Sequence, residues 1–192
     1  MPPEPQARLP GAGGIFAVAG PSGVGKDTLM QAAAARRPAL HLVRRVITRP
    51  EEAGGEPFEG VSAAEFARRR AAGAFLLDWE AHGLRYGIPA AEVAPRAAGR
   101  DVIFNASRGA LAQARAAFPD LVVIHVTAPA EVLAERLAAR GRESRAEIAG
   151  RLSRAELDVD PGPRDRVVVN DGDLDAAVDA FLAALGPERS PA

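Results

Sequence analysis

Short apolar-rich runs alternate with helix-like segments along most of the chain. Residues 15–19 (IFAVA) are wholly apolar, and apolar-rich runs recur at 101–105, 121–126 and 166–170. Such runs are typical of strands that are buried on both faces of a parallel sheet. Because the segments between them carry helix signals, the alternation predicts an α/β protein whose parallel sheet is covered by helices on both faces.

Capping residues and helix breakers set the predicted helix bounds. Ser62-x-x-Glu65 is a capping box, Pro38 and Gly99 are stop signals, and Pro95 predicts a kink. The predicted helices cover residues 25–36, 62–73, 89–99, 108–118, 130–140, 144–158 and 174–185. Two further strands are predicted over 41–47 and 75–77.

Length and composition narrow the class of protein. A chain of 192 residues has the size of one domain, which we place at 14–185 between disordered ends at 1–13 and 186–192. The formal charge of −1 gives no broad basic field, so no nucleic-acid partner is expected. The absence of cysteine excludes disulfides and thiol chemistry. No apolar run approaches the roughly 20 residues of a membrane span. We therefore expect a cytoplasmic protein without a membrane partner. The sequence does not indicate its oligomeric state.

A phosphate-binding loop follows the first predicted strand. The segment GPSGVGK, residues 20–26, fits G-x-x-x-x-G-K, and a helix is predicted directly after it, so backbone N–H groups point at the loop. Lys26 is the single lysine among 24 basic residues, which marks it as a catalytic candidate. The candidate ATP-binding residues are Gly20, Pro21, Ser22, Gly23, Val24, Gly25, Lys26, Asp27 and Thr28.

The residue after the lysine is unusual for such a loop. A serine or threonine normally stands there and places its hydroxyl on Mg²⁺, whereas this chain has Asp27 and then Thr28. A carboxylate on the metal side is favourable because Mg²⁺ prefers oxygen ligands, so Asp27 and Thr28 are the metal candidates. The alternative is that Asp27 is an acidic first-turn residue that stabilises the helix N-terminus. The sequence does not decide which of the two side chains contacts the metal.

An arginine-rich helical hairpin is predicted at about 130–158. It resembles the lid of nucleoside monophosphate kinases, which closes over ATP and brings guanidinium groups to the transferring phosphoryl group. The alternative is a pair of solvated helix faces with pairs such as Glu147 and Arg151. The catalytic candidates of this lid are Arg136, Arg140 and Arg151.

Taken together, the motifs resemble those of the guanylate kinases over about residues 14–185. The matching segments are the loop, Thr48-Arg49, Gly55-Glu56, GAFLLDWEAHGLRYGI (73–88), Arg136-Leu137-x-x-Arg140-Gly141 and Arg151-Leu152. The resemblance implies a P-loop kinase fold of three layers with a helical lid.

This chain departs from the guanylate kinase pattern at the positions whose side chains hydrogen-bond the guanine base. In guanylate kinases a glutamate and a hydroxyl residue bind the guanine edge, but Leu77 and Ile88 stand at the matching positions. Glu52 replaces a second arginine of the acceptor segment, while Arg49 and Tyr86, which the resemblance implies hold the acceptor phosphate, are kept. The sequence therefore predicts a phosphorylated acceptor without a nucleobase.

Six motifs in order are similar to those of the ribose 1,5-bisphosphate phosphokinases. They read Gly20–Asp27, Ile47–Arg49, His82–Gly87, Asn105–Arg108, Arg140–Glu143 and Asn170–Gly172. The resemblance implies transfer of the ATP γ-phosphoryl group to the 1-phosphate of ribose 1,5-bisphosphate, with Mg²⁺. The candidate acceptor-binding residues are Arg49, Tyr86, Arg85, Asn105 and Arg108.

Two alternatives stand beside this interpretation. A guanylate kinase shares the fold and the ATP side, and a non-catalytic binding module shares the scaffold. The presence of Lys26 and of the lid arginines argues against the non-catalytic module. His82 is the one histidine beside the acceptor segment, and Trp79 is predicted to pack rather than to stack on a base.

Overall fold

The computed structural model describes residues 11–51, 57–139 and 162–188. The strands are β1 (Ile15–Ala19), β2 (His41–Leu42), β3 (Arg45–Ile47), β4 (Phe58–Gly60), β5 (Phe75–Ala81), β6 (Leu84–Pro89), β7 (Val102–Asn105), β8 (Val122–Thr127) and β9 (Arg166–Val169). The α-helices are α1 (Lys26–Arg36), α2 (Ala63–Ala71), α3 (Ala90–Val93), α4 (Leu111–Ala117), α5 (Ala130–Ala139) and α6 (Leu174–Leu185). Two short 3₁₀ helices cover Ala94–Ala98 and Arg108–Ala110.

The central sheet has the strand order β2-β7-β1-β8-β9, and all its pairs are parallel. Successive residues of β1 point to opposite faces, so Ile15, Ala17 and Ala19 belong to one core and Phe16 and Val18 to the other. Every residue of β1 is buried. The predicted parallel sheet, covered on both faces, is confirmed, and the two cores explain why its first strand has no polar position.

A second, four-stranded sheet was not predicted. Its order is β4-β3-β6-β5, with β3 antiparallel to β6 and β6 antiparallel to β5. The strand predicted over 41–47 is wrong as one element, because β2 joins the central sheet and β3 joins the second. The strand predicted over 75–77 extends to Ala81 and turns at His82–Gly83 into β6, which the sequence analysis missed.

The predicted helices agree closely with the described ones. The α1 and α6 helices end at the predicted residues, and the Ser62 hydroxyl caps α2 by accepting a hydrogen bond from the Glu65 N–H at 3.1 Å. The segment 89–99 divides just before Pro95 into α3 and a 3₁₀ helix that begins at Ala94 and that Gly99 closes, in agreement with the predicted kink. The predicted helix over 144–158 lies outside the described residues. None of the described helices has the length and apolarity needed to cross a membrane.

Candidate active site

The glycine-rich loop connects the carboxyl end of β1 to the start of α1. Gly25 adopts φ 91°, and a Cβ atom there would lie 2.6 Å from the Asn170 side-chain nitrogen. At Gly20 a Cβ atom would lie 2.3 Å from the Val126 carbonyl oxygen. Both positions require glycine, because the loop backbone runs against the ends of β8 and β9. Helix α1 begins directly after the loop, and a glycine-rich loop followed by a helix N-terminus is the arrangement that binds phosphate.

Lys26 is the first residue of α1 and bends back over the loop. Its Nζ donates hydrogen bonds to the carbonyl oxygens of Gly20 at 2.9 Å and Pro21 at 3.0 Å. The ammonium group therefore lies at the mouth of the loop, where the oxygens of a bound phosphate would give it stronger, charge-assisted hydrogen bonds.

A side-chain hydrogen bond connects Asp27 to the last residue of β7. The Asn105 side-chain amide donates to the Asp27 Oδ1 atom at 2.8 Å, and Asn105 is buried with 8% exposure. Thr28, the next residue of α1, is exposed. The Asp27 carboxylate beside the loop has the chemistry of a Mg²⁺ ligand, because proteins hold this ion through one or two carboxylates together with substrate phosphates. The Asp27 and Thr28 metal roles stay predictions.

A cavity of about 550 Å³ opens beside the loop. One side, the loop wall, consists of Gly20, Pro21, Ser22 and Lys26. A second group of lining residues, the hairpin wall, comes from the second sheet and consists of Arg45, Trp79, Ala81, His82 and Tyr86. The remaining lining residues are Asn105, Ala106, Ser107 and Arg108, with Leu133 and Leu137 from α5. Both walls carry a cationic side chain, Lys26 or Arg45, so the cavity suits two anionic groups.

Arg45 is the site residue that sequence reasoning missed. It is 6% exposed, its Nη1 donates to the Asn105 carbonyl oxygen at 3.0 Å, and its guanidinium carbon lies 5.0 Å from the Tyr86 ring centroid. Burial lowers the pKa of Arg45 to about 10, although the nearby Asp27 carboxylate acts in the opposite direction, so the side chain is cationic at neutral pH. No local pattern marked Arg45, because its position at the cavity depends on the pairing of β3 with β6.

Two aromatic rings form the flat part of the hairpin wall. Trp79 and Tyr86 lie opposite each other on β5 and β6, with ring centroids 5.4 Å apart and planes inclined by 8°. Trp79 therefore both packs, as predicted, and lines the cavity. His82 at the hairpin turn also lines it, with φ 53°.

The remaining predicted acceptor residues fall into two groups. Tyr86, Asn105 and the exposed Arg108 line the cavity. Arg49 and Arg85 are not among the described lining residues: the Arg49 guanidinium lies 4.4 Å from the Phe58 ring centroid, and the exposed Arg85 approaches a carboxylate on its own hairpin at 3.9 Å. The structure therefore brings three of the five predicted residues together.

Arg136 contacts the loop from α5. Its guanidinium donates to the backbone and side-chain oxygens of Asn170, each at 3.2 Å, and the Asn170 amide donates to the Val24 carbonyl oxygen at 2.8 Å. Asn170 was noted only as part of a family motif, and its contact with the loop was not predicted. Arg140 and Arg151 lie outside the described residues.

The parallel sheet, the lysine-bearing loop and the cavity between cationic walls define a P-loop kinase. The guanylate kinase family model matches residues 15–186. Guanylate kinase from Anaplasma phagocytophilum has the same fold, with a TM-score of 0.65, 18% identity, and coverage of 91% of this chain and 85% of that one. A gluconokinase from Sinorhizobium meliloti gives a TM-score of 0.51 at 20% identity, with 91% of each chain covered.

Curated relatives narrow the family further. The chain is 49% identical to the ribose 1,5-bisphosphate phosphokinase of Ruegeria sp., covering 97% of this chain and 98% of that protein. It is 47% identical to the enzyme of the same name from Rhizobium etli, covering 92% of this chain and 93% of that protein. The chain belongs to the ribose 1,5-bisphosphate phosphokinase family, within the guanylate kinase fold. The predicted family and enzyme class are confirmed.

One relative is a longer protein. The bifunctional ribose 1,5-bisphosphokinase-thymidine phosphorylase of Cupriavidus necator is 47% identical over 90% of this chain, which spans 29% of that protein.

Proposed function

We propose that this protein transfers the γ-phosphoryl group of ATP to the 1-phosphate of ribose 1,5-bisphosphate. The products are 5-phosphoribosyl 1-diphosphate and ADP. The near full-length similarity to relatives of that name supports the proposal, and the cationic cavity beside the loop fits two highly charged reactants. The proposed setting is phosphonate metabolism in the cytoplasm, as the family resemblance implies.

The choice of acceptor rests on the residues at the two positions that bind the guanine edge in guanylate kinases. Leu77 and Ile88 face each other across β5 and β6, are 1% and 0% exposed, and pack in the hydrophobic core. A guanine base would find no hydrogen-bonding side chain at either position. Each lost partner costs about 1–3 kcal/mol, so the site disfavours a nucleobase while the cavity keeps its cations.

The reaction requires orientation and charge rather than a strong base. An oxygen of the acceptor's 1-phosphate attacks the γ-phosphorus, the bond from that phosphorus to the β–γ bridging oxygen breaks, and ADP leaves with that oxygen. The attacking oxygen is already ionised near pH 7, so no side chain has to remove a proton. Lys26 and the N-terminus of α1 would stabilise the charge on the β- and γ-phosphates.

Mg²⁺ would neutralise the nucleotide phosphates and orient the γ-phosphoryl group for in-line transfer. The residues proposed to hold it are Asp27 and Thr28, with Asn105 fixing the Asp27 carboxylate. Arg136, Arg140 and Arg151 are proposed to neutralise the transferring group, and the contacts of Arg136 with Asn170 keep its guanidinium beside the loop.

The test is an assay of the wild-type protein with Mg²⁺-ATP and a panel of phosphorylated acceptors. Ribose 1,5-bisphosphate should exceed GMP in kcat/KM by about 30-fold to 10⁴-fold, because two base contacts worth about 2–6 kcal/mol are missing. Formation of 5-phosphoribosyl 1-diphosphate is followed by ³¹P NMR. Efficient use of GMP with no use of the sugar bisphosphate would leave a guanylate kinase, and no turnover with any acceptor would favour a binding module.

A further inference from the structure

We propose that Arg45 binds the accepting phosphate group and is a catalytic residue of this site. Arg45 lies in β3 and lines the same cavity as the loop that is expected to bind ATP. The inference rests on the proposed function for the identity of the acceptor, but the contact itself is with a phosphate.

The position of Arg45 separates it from the other buried arginines described. Arg37 forms an ion pair with Asp101 at 2.6 Å, and Arg96 forms one with Asp120. Both pairs lie away from the described lining of the cavity, so they stabilise the fold. Arg45 is equally buried, but it lines the cavity. An anionic ligand that enters the cavity can therefore form a charge-assisted hydrogen bond with the Arg45 guanidinium.

The groups around Arg45 fix its orientation. The Asn105 carbonyl oxygen accepts from Nη1 at 3.0 Å, while the rings of Trp79 and Tyr86 lie 5.8 Å and 5.0 Å from the guanidinium carbon. The cation–π contacts and the hydrogen bond to this backbone oxygen help to fix the plane of the guanidinium. A planar group with five N–H donors, held in this way, suits bidentate binding of a phosphate.

A chain of two hydrogen bonds links Arg45 to the loop. Arg45 donates to the backbone oxygen of Asn105, and the side-chain amide of the same residue donates to Asp27 at 2.8 Å. Asp27 is the second residue of α1, next to Lys26. A phosphate on Arg45 therefore lies close to the γ-phosphate position, so we assign it as the accepting 1-phosphate rather than the remote 5-phosphate.

The test compares two adjacent arginines. Arg45→Met should lower kcat/KM for the acceptor by about 10- to 150-fold, the worth of a charge-assisted hydrogen bond, with Mg²⁺-ATP affinity within about twofold of wild type. Arg45→Lys should fall in between, because lysine keeps the charge and loses the planar fork. Arg44→Met is the control: Arg44 is exposed and donates to Glu51 and Phe58, so it should behave as wild type.

A binding readout makes the test independent of turnover. Trp79 is the single tryptophan and lies against Arg45, so its fluorescence should change when ribose 1,5-bisphosphate is added. The Kd should rise by about 10- to 150-fold in Arg45→Met. If that variant does not fold, Arg45→Lys is titrated instead and should show a smaller rise.

The outcomes separate the two proposals. If the wild type uses GMP instead of the sugar bisphosphate, the proposed function fails, and the Arg45 assignment is tested with GMP by the same comparison. If no acceptor turns over, inorganic phosphate is the fluorescence probe. An unchanged Kd in Arg45→Met, or a wild-type Trp79 signal that does not respond to the ligand, overturns the assignment of Arg45.

Discussion

The loop wall and the hairpin wall offer a phosphate group different kinds of contact. The loop wall comes from one short segment of the chain, residues 20–26, and offers mainly backbone N–H groups, the start of α1 and one ammonium group. The hairpin wall combines side chains of the β5–β6 hairpin with Arg45 of β3, about 30 residues earlier in the chain. Backbone groups are the same for every sequence, so we expect the loop wall to recognise only phosphate and the hairpin wall to select the molecule that carries it.

The largest effect is expected on the loop wall. Lys26→Ala should reduce kcat by about 10²- to 10³-fold, because the ammonium group acts on charge that develops in the transition state. The measurement is kcat at saturating substrates, with the thermal midpoint checked for an intact fold. Full activity in this variant would remove the kinase assignment of the loop, because the hairpin wall alone cannot bind ATP.

A second effect is expected where the two walls meet. Asp27→Ala should raise the Mg²⁺ concentration needed for half-maximal activity by about 10-fold, because the variant lacks a carboxylate oxygen proposed to bind the metal. Excess Mg²⁺ should restore activity. Asp27→Ser should be milder because a hydroxyl is also a Mg²⁺ ligand.

Asp179→Ala is the control for Asp27. Asp179 is an exposed carboxylate on α6 that pairs with Arg36 at 2.6 Å, away from the loop. Unchanged Mg²⁺ dependence in Asp27→Ala would leave Asp27 as a residue that stabilises the start of α1.

The smallest effect is expected from an exposed arginine at the cavity, and it tests how far the acceptor site extends. Arg108 and Arg85 are both exposed, but only Arg108 is among the described lining residues. Arg108→Ala should raise the acceptor KM by up to about fivefold, as expected for a solvent-screened charge. Arg85→Ala should leave the acceptor KM unchanged. The opposite order in steady-state kinetics would move the acceptor to the outer face of the hairpin.

The sequence predicted best what depends on neighbouring residues. The loop is a contiguous motif between a buried strand and a helix, and capping residues such as Ser62 fix helix bounds locally. The central sheet followed from apolar runs such as β1, which must be buried on both faces. These parts needed no knowledge of which segments meet in space.

The hairpin wall could not be predicted in the same way. Whether Arg45 points into a cavity depends on β3 leaving the central sheet to pair with β6, and no local pattern signals that change. The β6 strand was missed because Arg85 and Gly87 interrupt its apolar pattern. Arg49 was assigned by resemblance, and its position over Phe58 follows from the fold of this particular sheet.

The junction between the two sheets has an evolutionary consequence. Only two residues, Val43 and Arg44, separate β2 of the central sheet from β3 of the second sheet. Apart from the link through Asn105, the hairpin wall therefore belongs to a different sheet from the strand that carries the phosphate-binding loop. We expect acceptor choice to change in evolution through substitutions in the second sheet that keep the loop residues themselves unchanged.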